Sequence, residues 1–191
     1  DSLREHNARS QRVGQGRQRN AAAARADPGT DAAAGDRAPD AEAALRRSRE
    51  VARACGDRKG EAVATGNLGN AAYSQGFLEQ AREHYERGLA IHRELHDRQG
   101  ESIAMGNLGN VLHAQGRLAE AQEHHERKLA VDLEIGNRQG QAIATCCLGM
   151  VLRSDGRLAA ARLHFERYLA MSREIGDRQG EALATGNLGM L

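Results

Sequence analysis

The chain has 191 residues, of which 40% are hydrophobic, 28% charged and only 3% aromatic with no Trp, so a core built on large aromatic side chains is excluded. Formal net charge is +1, but residues 1–59 hold 13 Lys and Arg against 9 Asp and Glu, which confines any affinity for nucleic acid to that end. No apolar run approaches the ~18 residues needed to cross a bilayer, and residues 1–30 lack the apolar centre of a secretory signal, so no membrane is expected as a partner and a cytoplasmic location is predicted.

Residues 1–38 are rich in Arg, Gln, Ala, Gly and Asp, with Leu3 and Val13 as the only large apolar side chains. Such a segment has too little to bury and predicts a disordered leader or linker. Arg4, Arg9, Arg12, Arg17, Arg19 and Arg25 have no aromatic residue among them, so RNA stacking is unsupported and nucleic acid is not expected as a partner. The chain begins without Met and stops within a repeat, which predicts a piece of something longer.

The rest is periodic. A shift of 40 residues superposes Gly60, Gly100, Gly140 and Gly180, then Leu68, Leu108, Leu148 and Leu188, then Gly69, Gly109, Gly149 and Gly189. About half of residues 60–99 recur unchanged in 100–139, so the repeat governs every other reading. Gly56, Gly136 and Gly176 mark helix ends, and Asp57, Asp97, Asn137 and Asp177 follow as N-caps of the next helix. A second stop at Gly76, Gly116 and Gly156 divides each unit into helix A, about 58–75 in the first, and helix B, about 78–95. These positions predict a half repeat over 39–56 (Ala41, Leu45, Val51), full repeats over 57–96, 97–136 and 137–176, and a partial repeat over 177–191.

Helix B carries Leu78, Ala81, Tyr85, Leu89 and Leu95 on one side, and Leu118, Ala121, His125, Leu129 and Ile135 at the matching places, which predicts a buried face. Gly69 and Ala81 and their counterparts are small where an antiparallel A/B pair must approach closely. Leu183, Leu188 and Leu191 form an apolar face on the last unit, from which self-association through an open C-terminal repeat is expected.

Leu68, Gly69, Ala81 and Tyr85, repeated as Leu148, Gly149, Ala161 and Phe165, make this sequence resemble the tetratricopeptide repeat family, and the longer period with Gly-Asn-Leu-Gly-Asn resembles the Leu-Gly-Asn (Pins-type) and bacterial variants. The departures are a period of 40, Thr65 where the family often has Trp, and no Pro closing helix B. The resemblance implies an all-α, right-handed solenoid of antiparallel helix pairs and a concave groove lined by helix A. It places Asn67, Asn70 and Tyr73 in the groove, then Asn107, Asn110 and His113, then Met150 and Arg153, then Asn187. Val63, Ile103 and Ile143 lie on the same wall.

Asn is a poor choice in mid-helix, so its recurrence at 67, 107 and 187, and at 70 and 110, points to a task other than helix formation. An amide side chain offers donors and an acceptor, so a ladder of them can bond both backbone groups of an extended peptide, while apolar neighbours choose its side chains. The alternative is that these Asn bond neighbouring repeats or face water. The positions of the family's cationic carboxylate clamp hold Val63, Gly66, Ile103, Gly106, Ile143 and Cys146, so an acidic chaperone tail is not the expected ligand. The expectation is a scaffold for a protein or peptide partner. The alternative is the sensor region of a larger bacterial signalling ATPase or kinase.

Catalysis, cofactors and metals are not expected. His92 and His96 are four apart but lack the Glu spacing of a zincin helix, and the Gly66-Asn67-Leu68-Gly69 run lacks the Lys of a P-loop. His84, His124 and His164 recur once per repeat on helix B, as solvated or inter-repeat side chains. Cys55, Cys146 and Cys147 have no disulfide or zinc spacing and read as small, reduced, mostly buried side chains.

Overall fold

A computed structural model describes residues 38–191; the expected leader lies, but for its last residue, outside them. Eight helices follow one another among the described residues: α1 (Ala38–Ala54), α2 (Arg58–Ser74), α3 (Leu78–Glu94), α4 (Arg98–Ala114), α5 (Leu118–Glu134), α6 (Arg138–Ser154), α7 (Leu158–Glu174) and α8 (Arg178–Gly189). From α2 onward each packs against the next as an antiparallel pair, and the chain is an all-α, right-handed solenoid in which α2, α4, α6 and α8 are the A helices and the odd-numbered ones the B helices.

Local chemistry sets the helix boundaries. Asp57, Asp97, Asn137 and Asp177 each accept a hydrogen bond from the backbone N–H of Gly60, Gly100, Gly140 and Gly180 at 2.8–3.0 Å, closing the first turn of every A helix. Helix ends adopt the left-handed conformation, as at Gly56 (φ 72°), where the Asp57 N–H reaches back to the Ala52 carbonyl at 2.8 Å. The second complete turn of this kind uses His96 instead of Gly, with φ 52°. It is the one described position where an L side chain bears that backbone.

The A/B pairing depends on a glycine beneath a ring. A Cβ on Gly69 would lie 2.6 Å from the Tyr85 ring, one on Gly109 2.6 Å from His125, and one on Gly149 2.6 Å from Phe165. The missing side chain is therefore what lets each ring lie flat on the A helix. Ala81, Ala121 and Ala161 beside these rings are fully buried. On helix B, Ala81, Tyr85, Leu89, Ala121 and His125 of the predicted face are buried and Leu78, Leu118 and Leu129 partly so, whereas Leu95 and Ile135 are exposed, because they stand at the C-caps where the chain leaves the helix. The last unit also differs from expectation. Leu188 and Leu191 fold back against the cluster of Leu152, Ala161 and Phe165, which leaves Leu183 as the exposed member of that trio.

Between α4, α5 and the start of α6 the core becomes ionic. The Lys128 ammonium donates to Asp132 Oδ2 at 2.7 Å and to Ser102 Oγ at 2.9 Å, while Ser102 Oγ and Asn137 Nδ2 donate to Asp132 Oδ1 at 2.7 and 3.0 Å. Lys128 and Asp132 are buried, so the ion pair is kept by these added hydrogen bonds rather than by water. The same slots hold Gly88 and His92 one repeat earlier and Tyr168 and Ser172 one repeat later. Outside, Arg58, Arg98 and Arg138 pair with Glu94, Glu134 and Glu174, tying the start of each A helix to the end of the following B helix.

Candidate functional site

The A helices form one wall. α4 and α6 touch directly, and three side-chain pairs stitch successive A helices together: His113 Nε2 with Ser154 Oγ at 2.8 Å, Cys147 Sγ with Asn110 Oδ1 at 3.9 Å, and Arg153 Nη1 with Asn187 Oδ1 at 3.0 Å. Residues 63, 67, 70 and 73 recur at helical spacing and so share one face of α2, as do their counterparts on α4 and α6. Along that face Val63, Ile103, Ile143 and Leu183 stand in register, 44–56% exposed. An aliphatic side chain thus stands partly in water at the same place in every repeat.

The predicted asparagines divide into two groups. Asn67 and Asn107 are half-buried and make no side-chain hydrogen bond to any described residue. Asn70 Oδ1 accepts from the Tyr85 hydroxyl at 2.7 Å, and that bond also holds the ring over Gly69. Asn110 is taken up with Cys147, and Asn187 with Arg153. Tyr73 is exposed, and Met150 packs partly on the Leu152–Phe165 cluster. Burial, and then the nearby Arg153 charge, push the His113 imidazole below its ordinary pKa, so it faces Ser154 uncharged.

At the first end of the wall lies a cavity of about 380 Å³, lined by Leu45 and Ser48 of α1 with Asp57, Lys59, Val63 and Asn67. Sequence reasoning did not place α1 or Lys59 in the site. The available signal was that Lys59 stands where Gln99, Gln139 and Gln179 stand in later repeats.

The reactive side chains are otherwise engaged or exposed. Burial pushes the Cys146 thiol up to about 12 and the Cys147 thiol to about 11, so neither forms a thiolate near neutral pH. Cys55 is exposed, against the buried role expected for the cysteines. His92 lies under Gly100 with Nδ1 3.1 Å from Asp97 Oδ2, while His96 is exposed. Among the described residues no three His, Cys, Asp or Glu side chains gather as a metal site would require.

Among solved structures, the chain is similar to the tetratricopeptide domain of Arabidopsis FLU (23% identity over 61% of this chain and 98% of that one, TM-score 0.59). A Podosopora anserina protein described as a putative kinesin light chain with nearly identical repeats matches at 15% identity over 81% of this chain and 77% of that one, TM-score 0.65. A Pyrococcus horikoshii signal transduction ATPase with a tetratricopeptide repeat sensor matches at 17% identity over 80% of this chain and 27% of that one, TM-score 0.57. At these identities the likeness concerns the fold. No curated protein sequence matches the chain significantly. The tetratricopeptide repeat family profile matches residues 29–94 and again 60–134, more than half of the sequence, with the Gly–ring pairing of Gly69 on Tyr85 and Gly109 on His125 inside the matched span. The chain therefore belongs to the tetratricopeptide repeat family.

Proposed function

We propose that the chain is a protein-interaction scaffold that holds an extended segment of a partner along the A-helix wall, with Asn67 and Asn107 bonding its backbone and the row Val63, Ile103, Ile143 and Leu183 receiving its apolar side chains. One observation carries the reading. Asn67 and Asn107 sit in mid-helix, beside exposed aliphatic side chains, with amides bonded to nothing in the described chain. A neutral amide next to an aliphatic row suits the backbone of an apolar segment better than an acidic tail. Asn70, Asn110 and Asn187 then support the wall. Tyr73, His113, Met150 and Arg153 complete its lining, and the site works without a cofactor, in the cytoplasm.

The test is a segment selected from a random peptide display library on the intact chain, with affinity then measured by fluorescence anisotropy. Asn67→Ala with Asn107→Ala should weaken binding at least tenfold while helicity by circular dichroism stays the same; unchanged affinity refutes the amide ladder. A second reading, a sensor region of a larger signalling protein, draws on the Pyrococcus ATPase, of which the similar region is only 27%. Reading the gene on both sides of residues 1 and 191 decides between a scaffold and such a region.

A further inference from the structure

The junctions between repeats act as internal controls for one another, and the first departs from the rest. Where α1, α2 and α3 meet, a cavity of about 510 Å³ is lined by Arg49, Glu50, Arg53, Arg58, Glu61 and Arg87. One repeat later the position of Arg49 is filled by Leu89, which is buried, and further on by Leu129 and Leu169. The cations around the second junction are paired: Arg93 with Glu101 at 3.1 Å and Arg127 with Glu123 at 2.5 Å. At the first junction Glu61 is held by Arg58 at 2.6 Å, and among the described residues no carboxylate lies within ion-pair distance of Arg49, Arg53 or Arg87.

An apolar slot has thus been exchanged for a guanidinium, and Arg53 and Arg87 make no ion pair among the described residues although Glu61 and Glu83 occupy the positions of Glu101 and Glu123, which pair with Arg93 and Arg127. Four arginines against two glutamates leave the lining with two net positive charges. His84 nearby is held below its ordinary pKa, by burial first and then by Arg49 and Arg87, as a site of positive potential requires. Guanidinium groups match tetrahedral oxyanions with paired N–H donors, and a phosphate monoester carries about −1.5 to −2 charge at pH 7, which balances this lining. We propose that the α1–α3 cavity is a phosphoryl-group site, with Arg49, Arg53 and Arg87 as its donors.

The test is calorimetric titration of the full chain at low salt with two probes, inorganic phosphate and the peptide Ala-phosphoserine-Ala. Saturable binding of either is expected. Peptide binding at least tenfold tighter than phosphate identifies a phosphorylated side chain as the ligand, and equal binding identifies free phosphate. Arg49→Leu installs the residue that later repeats carry, so the fold is kept, and it should weaken binding at least tenfold. Arg87→Gln, at an exposed position, should weaken it by several fold. Absence of binding by both probes, or equal binding by wild type and Arg49→Leu, overturns the proposal.

Discussion

His125 occupies the slot that holds Tyr85 one repeat earlier and Phe165 one repeat later, and its ring covers Gly109 as theirs cover Gly69 and Gly149. It is 1% exposed, and its Nδ1 is buried without a hydrogen-bond partner. Burial first, with His113, Lys128 and His124 adding to it, pushes the imidazole from an ordinary 6.5 down to about 4. A depressed histidine is neutral in the folded chain while the unfolded chain takes up its proton. The stability it leaves intact above pH 6.5 is therefore lost as pH falls from 6.5 towards 4. At about 1.4 kcal/mol per pKa unit the full loss is about 3 kcal/mol, of which about 2 kcal/mol has gone by pH 5. His125→Phe removes both the proton and the orphaned nitrogen, and should raise stability at pH 7 by about 1–2 kcal/mol. Urea unfolding of both proteins at pH 7 and pH 5 measures the difference. The variant should lose about 2 kcal/mol less than wild type on acidification, while His84 and His164, which do not act on His125, contribute equally to both. A destabilised variant at pH 7, or an unchanged gap between the two pH values, would refute the argument. His125→Tyr supplies a further check, because Asn110 stands where Asn70 accepts from Tyr85.

Four other changes follow from the same internal comparisons. Lys128→Met leaves Asp132 buried beside Ser102 and Asn137 without its cation and should cost about 3–5 kcal/mol in urea unfolding. Changing Ser102, Lys128 and Asp132 together to the Ala, Tyr and Ser of the next repeat should stay within about 2 kcal/mol of wild type, because no charge is stranded. His96→Gly relieves the single described left-handed L residue and should stabilise by about 1 kcal/mol, read as a rise in Tm. Gly109→Leu drives a side chain into the His125 ring and should destabilise by about 3 kcal/mol, with no change in Tm counting against the pairing.

Much of this architecture was legible because its determinants are local and repeat. The Asp57 carboxylate caps a backbone N–H three residues on, and Gly56 takes its left-handed turn within the same five residues, so no tertiary knowledge was needed to place those boundaries. The small residue at 69 announced a close approach. That the ring at 85 fills the space follows only from the geometry of two packed helices. Residues 128, 132 and 102 belong to different turns and helices, and a lysine on a charged helix reads as solvated, so their buried pairing carried no sequence signal. The same holds for Asn70, whose recurrence with Asn110 resembled a ligand contact but whose oxygen serves Tyr85.

That distinction sharpens where binding should be sought. A position shared between repeats is accounted for when its side chain has a partner inside the chain, as Asp57 has the Gly60 N–H and Asn70 has Tyr85. It is also accounted for when the side chain is core, as at Leu68 and Leu108. Asn67 and Asn107 satisfy neither condition: they are shared, unfavourable for the helix, partly exposed and unbonded within the described chain. The third repeat supports the contrast. Cys147 takes the asparagine's position there, is buried, and its Sγ lies 3.9 Å from Asn110 Oδ1, so that repeat offers no amide at this place. A bound segment should therefore make its backbone contacts on α2 and α4, and a photo-crosslinker placed at Val63 or Ile103 should capture it more efficiently than one at Leu183.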